Sequence, residues 1–176
     1  MGLGSSFVCD IRLNTTLSPE ERDVYQNSRV IREILGSART IAIVGMSTET
    51  TKASNMVGSY LMDEGYRVIP VNPRAAQILG EVCYPDLKSI KEPVDLVDIF
   101  RPASEVPAIV KEAIEIGAKA VWTQLRIIDL ESADKALEAG LAVVVDKCVK
   151  MEHGRYCGAL HWAGMNTEVI TAQRRR

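Results

Sequence analysis

Residues 40–74 leave this chain the fewest choices of fold. Ile41-Ala-Ile-Val44 is an unbroken apolar run closed by Gly45. A run that short, bounded by a glycine, fits a strand buried on both faces of a parallel sheet. A polar loop follows with Ser47, Thr48, Thr50, Thr51 and Lys52, and Ser54 or Asn55 stands where a helix N-cap is needed. Met56, Val57, Tyr60 and Leu61 then recur at helical spacing, Gly65 closes the helix, and Arg67 to Val71 reads as a second strand. Together these make one β-α-β unit, the nucleotide-binding half of a doubly wound sheet. Loop amides and a helix N-terminus converge at the first strand's carboxyl end, which is where such a unit holds a phosphate.

The choice of nucleotide turns on two positions. The dinucleotide fingerprint G-x-G-x-x-G is missing, because Gly45 is followed by Met46, Ser47 and Thr48. At the end of the second strand, where a NAD enzyme places a carboxylate for the ribose, the chain has Asn72, followed by Pro73 and Arg74. A guanidinium without a carboxylate favours a ribose that carries its own phosphate, on the 2′ oxygen in NADP or the 3′ oxygen in coenzyme A. The competing reading makes Arg74 a solvated turn residue.

At 176 residues the chain is expected to form one domain over 18–150, with a tail over 1–17 and an extension over 151–176. Ser18-Pro19-Glu20-Glu21 starts a helix. Val24, Val30, Ile31, Ile34 and Leu35 carry it to Gly36, as an added N-terminal element beside the first strand. Residues 72–93 read as a loop with a brief turn or edge hairpin at 77–82, pinned by Leu87 and Ile90. Asp95 to Phe100 is a third strand, Ser104 can cap the helix after it, Lys119 to Thr123 is a fourth, Asp129 begins another helix, and Leu141 to Val145 is a fifth. The fold class is therefore α/β: a Rossmann-like, doubly wound, five-stranded parallel sheet, expected in the order 3-2-1-4-5. The strand ends facing the crevice are Gly45-Met46-Ser47, Val71-Asn72-Pro73, Phe100-Arg101-Pro102, Thr123-Gln124 and Asp146-Lys147-Cys148. They offer donors, cations and flat surfaces that suit a phosphorylated ligand with an adenine. They contain no nucleophile–base–acid set.

Composition narrows the classes further. A net charge of −2 gives no reason to expect nonspecific binding to nucleic acid. No apolar run approaches membrane-spanning length, and the start lacks the basic and apolar regions of a secretion signal, so a cytoplasmic protein is expected. Met1-Gly2 with Ser6 formally fits a myristoylation pattern. Four cysteines in a chain this long do not suggest a disulfide scaffold. Cys148, His153, Cys157 and His161 are potential zinc ligands, but their spacing, C-x4-H-x3-C-x3-H, matches none of the common paired-cysteine patterns. The plainer reading is a buried or semi-buried Cys148 with surface histidines. Trp122, on a strand, is more often core than ligand contact, and Arg174-Arg175-Arg176 is a solvated tail.

Several pieces together carry a resemblance. They are Ile41-Ala-Ile-Val-Gly-Met-Ser47, Lys52 with Asn55 and Val57, Gly65-Tyr66-Arg-Val-Ile-Pro-Val-Asn-Pro73, Gly80 with Tyr84, and Val94-Asp-Leu-Val-Asp-Ile-Phe100. Gly117-Ala-Lys119 with Trp122 and Gln124, Ala139-Gly140, and Asp146-Lys-Cys148 with Glu152 complete the set. In order and spacing the chain resembles the small free-standing coenzyme A-binding proteins, whose fold is similar to the N-terminal coenzyme A-binding domain of the succinyl-CoA synthetase alpha subunit. The resemblance runs from about Ile34 to about Glu152.

The resemblance implies a role for each matching residue. Gly45, Met46 and Ser47 would face the pyrophosphate, and Lys52 with Asn55 would belong to the phosphate loop. Val71, Asn72 and Pro73 would line the adenosine pocket, and Arg74 would reach the 3′-phosphate. Phe100 and Arg101 would lie across the third strand's end, with Trp122 and Gln124 toward the pantetheine arm. Arg126 stands where many relatives have glycine, which leaves the arm's channel open to question. A chain of this length has no room for the second synthetase domain with its phosphorylated histidine. The expected function is a non-catalytic binder of coenzyme A or acyl-CoA, alone, as a homodimer or with an unidentified protein. A mixed disulfide of the cofactor with Cys148 or Cys83 is conceivable if either thiol is exposed and activated. The alternative is a small NADP-dependent reductase. Against it stand the missing dinucleotide glycines and the lack of a tyrosine–lysine pair at helical spacing in any expected helix, Tyr84 and Lys88 falling in the 72–93 loop.

Overall fold

The N-terminal helix expected to run unbroken to Gly36 is two helices in the computed structural model, which describes residues 16–157. Helix α1 (Pro19–Tyr25) starts with a capping box: Ser18 Oγ accepts from the Glu21 amide at 3.2 Å, and Glu21 Oε2 accepts from the Ser18 amide at 2.7 Å. Asn27 then accepts from the amides of Arg29 (3.0 Å) and Val30 (3.4 Å) and so starts α2 (Ser28–Ser37) afresh. Its side chain competes for the donors that a continuous helix would use. Ile31, Ile34 and Leu35 of α2 pack in one layer with Ile41 and Ile43 of the first strand, as expected, and the element reaches further across the sheet. It packs on strand β7 (Ala142–Val144) and helix α6 (Val149–Tyr156), and the Val145 amide donates to the Tyr25 carbonyl.

The five expected strands are present as β1 (Thr40–Val44), β2 (Arg67–Val71), β5 (Leu96–Ile99), β6 (Ala120–Thr123) and β7, all parallel. The stretch at 77–82 forms a small antiparallel hairpin, β3 (Gln77–Ile78) with β4 (Glu81–Val82). The sheet order is β2-β1-β5-β6-β7. Counting only the five strands expected from the sequence, that is 2-1-3-4-5 rather than 3-2-1-4-5. The third strand crosses over β1 because the outer edge of β2 is already occupied. There the Tyr84 amide donates to the Pro70 carbonyl (2.9 Å), the Asn72 amide donates to the Tyr84 carbonyl (2.8 Å), and Val71 bridges Tyr84. Pro70 faces this edge and has no N–H to offer it, so a full strand could not be hydrogen-bonded there.

Alternation along the strands divides the interior into two layers. Ala42, Val44, Ile69, Val97, Ile99 and Val121 pack against α4 (Val106–Glu115) and α5 (Leu130–Glu138). Ile41, Ile43, Val68, Leu96 and Trp122 pack against α2, α3 (Ala53–Asp63) and α6. Leu87 is buried and Ile90 packs on the first layer, so both hold the long connection down. Two expected caps differ. Ser104 lies in a 3-10 turn (Ala103–Glu105) ahead of α4 and caps nothing. The cap position of α3 is Lys52, which makes no side-chain cap bond. No helix among the described residues is long and apolar enough to cross a membrane.

Candidate functional site

The strand order decides where the crevice lies. Strands β1 and β5 are neighbours, but the helix after β1 covers one face and the helix after β5 covers the other. Their loops diverge at the carboxyl ends and open a cleft. Its volume is about 200 Å³, and its walls include Gly45, Val71, Asn72, Pro73, Arg101 and Ile109.

Gly45 makes this cleft possible. Its φ is +85°, and a Cβ there would lie 2.6 Å from Arg101 Cδ and 2.9 Å from the Phe100 carbonyl oxygen. Only a residue without a side chain lets the two loops approach so closely. Asn72, at the end of β2, ties three segments together. Its Nδ2 donates to the Met46 carbonyl (2.8 Å), its Oδ1 accepts from the Arg74 amide (2.9 Å), and its own amide donates to Tyr84. Arg101 makes a two-pronged pair with Glu105 at 2.8 and 2.7 Å. That hydrogen bond holds the Glu105 carboxyl below its ordinary range. No carboxylate stands at the end of β2, and those on the wall are engaged elsewhere: Glu105 by Arg101, Glu112 by the Leu87 amide, and Asp86 by Ser89.

The loop from Ser47 to Asn55 is held by its own side chains. The Ser47 amide donates to Ser54 Oγ (3.0 Å), Asn55 Nδ2 donates to the Ser47 carbonyl (2.8 Å), and the Glu49 amide donates to Ser47 Oγ (3.1 Å). Ser54 and Asn55 therefore organise the loop instead of capping α3. Lys52 is exposed, with its Nζ 3.9 Å from Glu49.

The structure brings Gly45, Val71, Asn72, Pro73 and Arg101 around one cleft. Arg74 is exposed, on the same turn as Pro73, and Phe100 is half-buried at the end of β5. The Met46 side chain is fully buried, its Cε filling the space over Gly58, so only its backbone faces the loop. Trp122 is also fully buried, and its Nε1 donates to the Lys147 carbonyl at 2.7 Å. Gln124 is buried at the end of β6 and donates from Nε2 to Asp98 Oδ1 at 2.8 Å. Asp98 is not among the candidate residues that the sequence marks. The one available signal was a lone acid inside the apolar run of the third strand.

Arg126 adopts φ +64°, a left-handed conformation in which glycine is at ease. Its amide donates to Asp146 Oδ1 at 2.7 Å, which closes the turn after β6. The left-handed position thus carries a side chain at a cost in backbone strain.

Among the described residues no three His, Cys, Asp or Glu side chains gather as metal ligands, and His161 lies outside them. His153 is buried, with Nδ1 2.9 Å from the Tyr60 hydroxyl, and burial lowers its pKa. Burial pushes the thiols of both Cys83 and Cys148 up, away from the thiolate that disulfide exchange requires.

The fold is thus a Rossmann-like α/β one with a glycine-floored cleft at its switch point. Residues 39–154 match the family model described as "CoA binding domain", and the chain belongs to that family. It is 36% identical over 123 residues to the uncharacterised protein YneT of Bacillus subtilis, a match covering 70% of this chain and 91% of that one. It is 30% identical over 123 residues to the ADP-forming acetate–CoA ligase I of Archaeoglobus fulgidus, covering 64% of this chain and 18% of the ligase. A hypothetical protein from Pyrococcus horikoshii superposes with a TM-score of 0.73 at 39% identity, covering 75% of this chain and 93% of that one.

Proposed function

We propose that this protein binds coenzyme A or an acyl-CoA without catalysing a reaction on it, with the ADP part at the carboxyl ends of β1 and β2. The observation that carries the reading is the cleft at Gly45. It opens within the segment that matches the CoA binding domain, and no free carboxylate stands at the end of β2 to take unphosphorylated ribose hydroxyls. In this reading the Gly45-Met46-Ser47 backbone faces the pyrophosphate. Val71 and Pro73 flank the adenosine, and Asn72 braces the two loops. Lys52 and Arg74 supply charge to the phosphates, and Gln124 meets the pantetheine arm. Trp122 supports that channel from behind. The acetate–CoA ligase matches over only 18% of its length, so its ligation reaction is not carried over.

Calorimetric titration of the full chain with coenzyme A, dephospho-coenzyme A and NADP tests the reading. Coenzyme A is expected to bind. Loss of the 3′-phosphate should weaken binding about tenfold, the worth of one charge-assisted hydrogen bond, and NADP should give no heat. Heat with NADP and none with coenzyme A would overturn the proposal.

A further inference from the structure

Asp98 sits on β5 in the middle of the sheet, fully buried, between Ile43 of β1 and Trp122 of β6. Its only side-chain partner is Gln124, through Oδ1, and its other oxygen, Oδ2, has none. It is the one buried side-chain polar atom left without a hydrogen bond among the described residues. At the other end of the amide, Gln124 Oε1 bonds to no described residue and is not sealed from solvent. Gln124 thus spans from a closed carboxyl to the carboxyl end of the sheet at β6, outside the lining of the Gly45 cleft.

We propose that Asp98 is a positioning residue which sets the face that the Gln124 amide presents to the ligand, so that recognition there switches with the protonation of this buried pair. The inference rests on the coenzyme A reading for the identity of the ligand and for the course of its arm past Gln124. An ionised carboxylate accepts hydrogen bonds and donates none, so it holds the amide by its NH2 and forces the carbonyl outward. An outward carbonyl accepts from an amide N–H, the kind of donor an extended pantetheine-like arm carries. A protonated carboxyl can donate instead, which lets the amide invert and turn its NH2 outward. Binding of an N–H donor then favours the ionised state and releases a proton.

The surroundings make this a pair that titrates near neutrality. Burial pushes the Asp98 carboxyl up to about 7, against the opposing pull of Gln124 and the Ile99 amide, and no cation acts on it. The face is covered by α2, α3 and α6. Of the titratable groups there, Cys148 shares a charge interaction with Asp98, while Tyr60 and His153 bond to each other. Glu152 is paired with Lys147 and Arg155, and Arg32 stacks on Tyr156.

The Gln124 side-chain amide resonances of the ligand-free full chain, followed from about pH 5.5 to about pH 8.5, give the first readout. A single transition near 7, absent in Asp98→Asn, is expected. Unchanging resonances in the wild type overturn the proposal, whether or not the variant folds. Calorimetry with coenzyme A over the same range gives the second readout. The wild type should bind several-fold tighter at the alkaline end than Asp98→Asn does, relative to each at the acid end, and should release a proton near pH 7. The ligand phosphate's own titration is common to both proteins and cancels. Identical pH profiles in the two proteins would sink the switch and leave the coenzyme A reading standing. Transition of the amide with no binding of coenzyme A at any pH would sink that reading and leave the pair standing.

Discussion

Gly45 and Asp98 carry the largest single-residue consequences. Alanine at 45 would have to hold φ at +85° and put its Cβ 2.9 Å from a backbone oxygen that cannot step aside. The Arg101 methylene, the nearer contact, is flexible by comparison. The positive φ costs about 1 kcal/mol and the clash adds a similar amount. Gly45→Ala should therefore lower the urea midpoint by the equivalent of about 2–3 kcal/mol with an unchanged m-value, and should abolish coenzyme A binding. Asp98 shapes the pH dependence of stability. Its carboxyl ionises near 3.8 when free and near 7 in the fold. Between those values the folded chain keeps a proton that the unfolded chain releases, so stability falls as pH rises from about 4 to about 7 and is level above. Asp98→Asn removes that dependence. Its stability relative to the wild type should grow by about 2–4 kcal/mol between pH 5 and pH 8, read by urea unfolding at the two pH values. A constant difference would refute the buried-acid account.

At the scale of elements, short polar side chains decide where segments begin and which edges stay open. Asn27 divides one apolar stripe into two helices by taking the amides of Arg29 and Val30. Asn27→Ala should cost about 1 kcal/mol, and hydrogen exchange should show those two amides losing protection before the rest of α2. The apolar stripe of Val30, Ile31, Ile34 and Leu35 was legible in the sequence, whereas the break was not, because helical periodicity continues across it. Ser54 and Asn55 were legible as polar residues at a helix start. Their real partners lie seven and eight residues back, at Ser47, and N-cap rules look only at the nearest turn. Pro70 is a readable signal of the sheet's edge. A proline inside an otherwise apolar strand marks one open edge, which in a parallel sheet means the outside.

For the molecule as a whole, the arrangement of edges ranks the strands by stability. β1, β5 and β6 have a strand on each side and helices on both faces, whereas the β3–β4 hairpin has two residues per strand. Native-state hydrogen exchange should find the amides of β1, β5 and β6 opening only with global unfolding, and those of the hairpin opening at much lower cost. Equal protection throughout would contradict this ranking. The sequence by itself determined the elements, since an apolar run, a glycine at φ above zero or a capping box acts within a few residues of itself. It thereby determined the α/β class, the five parallel strands and the glycine at the crevice. Tertiary structure alone decided the order 2-1-3-4-5, the bracing of the loops by Asn72 and the pairing of Asp98 with Gln124, 26 residues apart. Each of these depends on which sheet edge is already filled when a distant segment arrives, and local patterns do not record that.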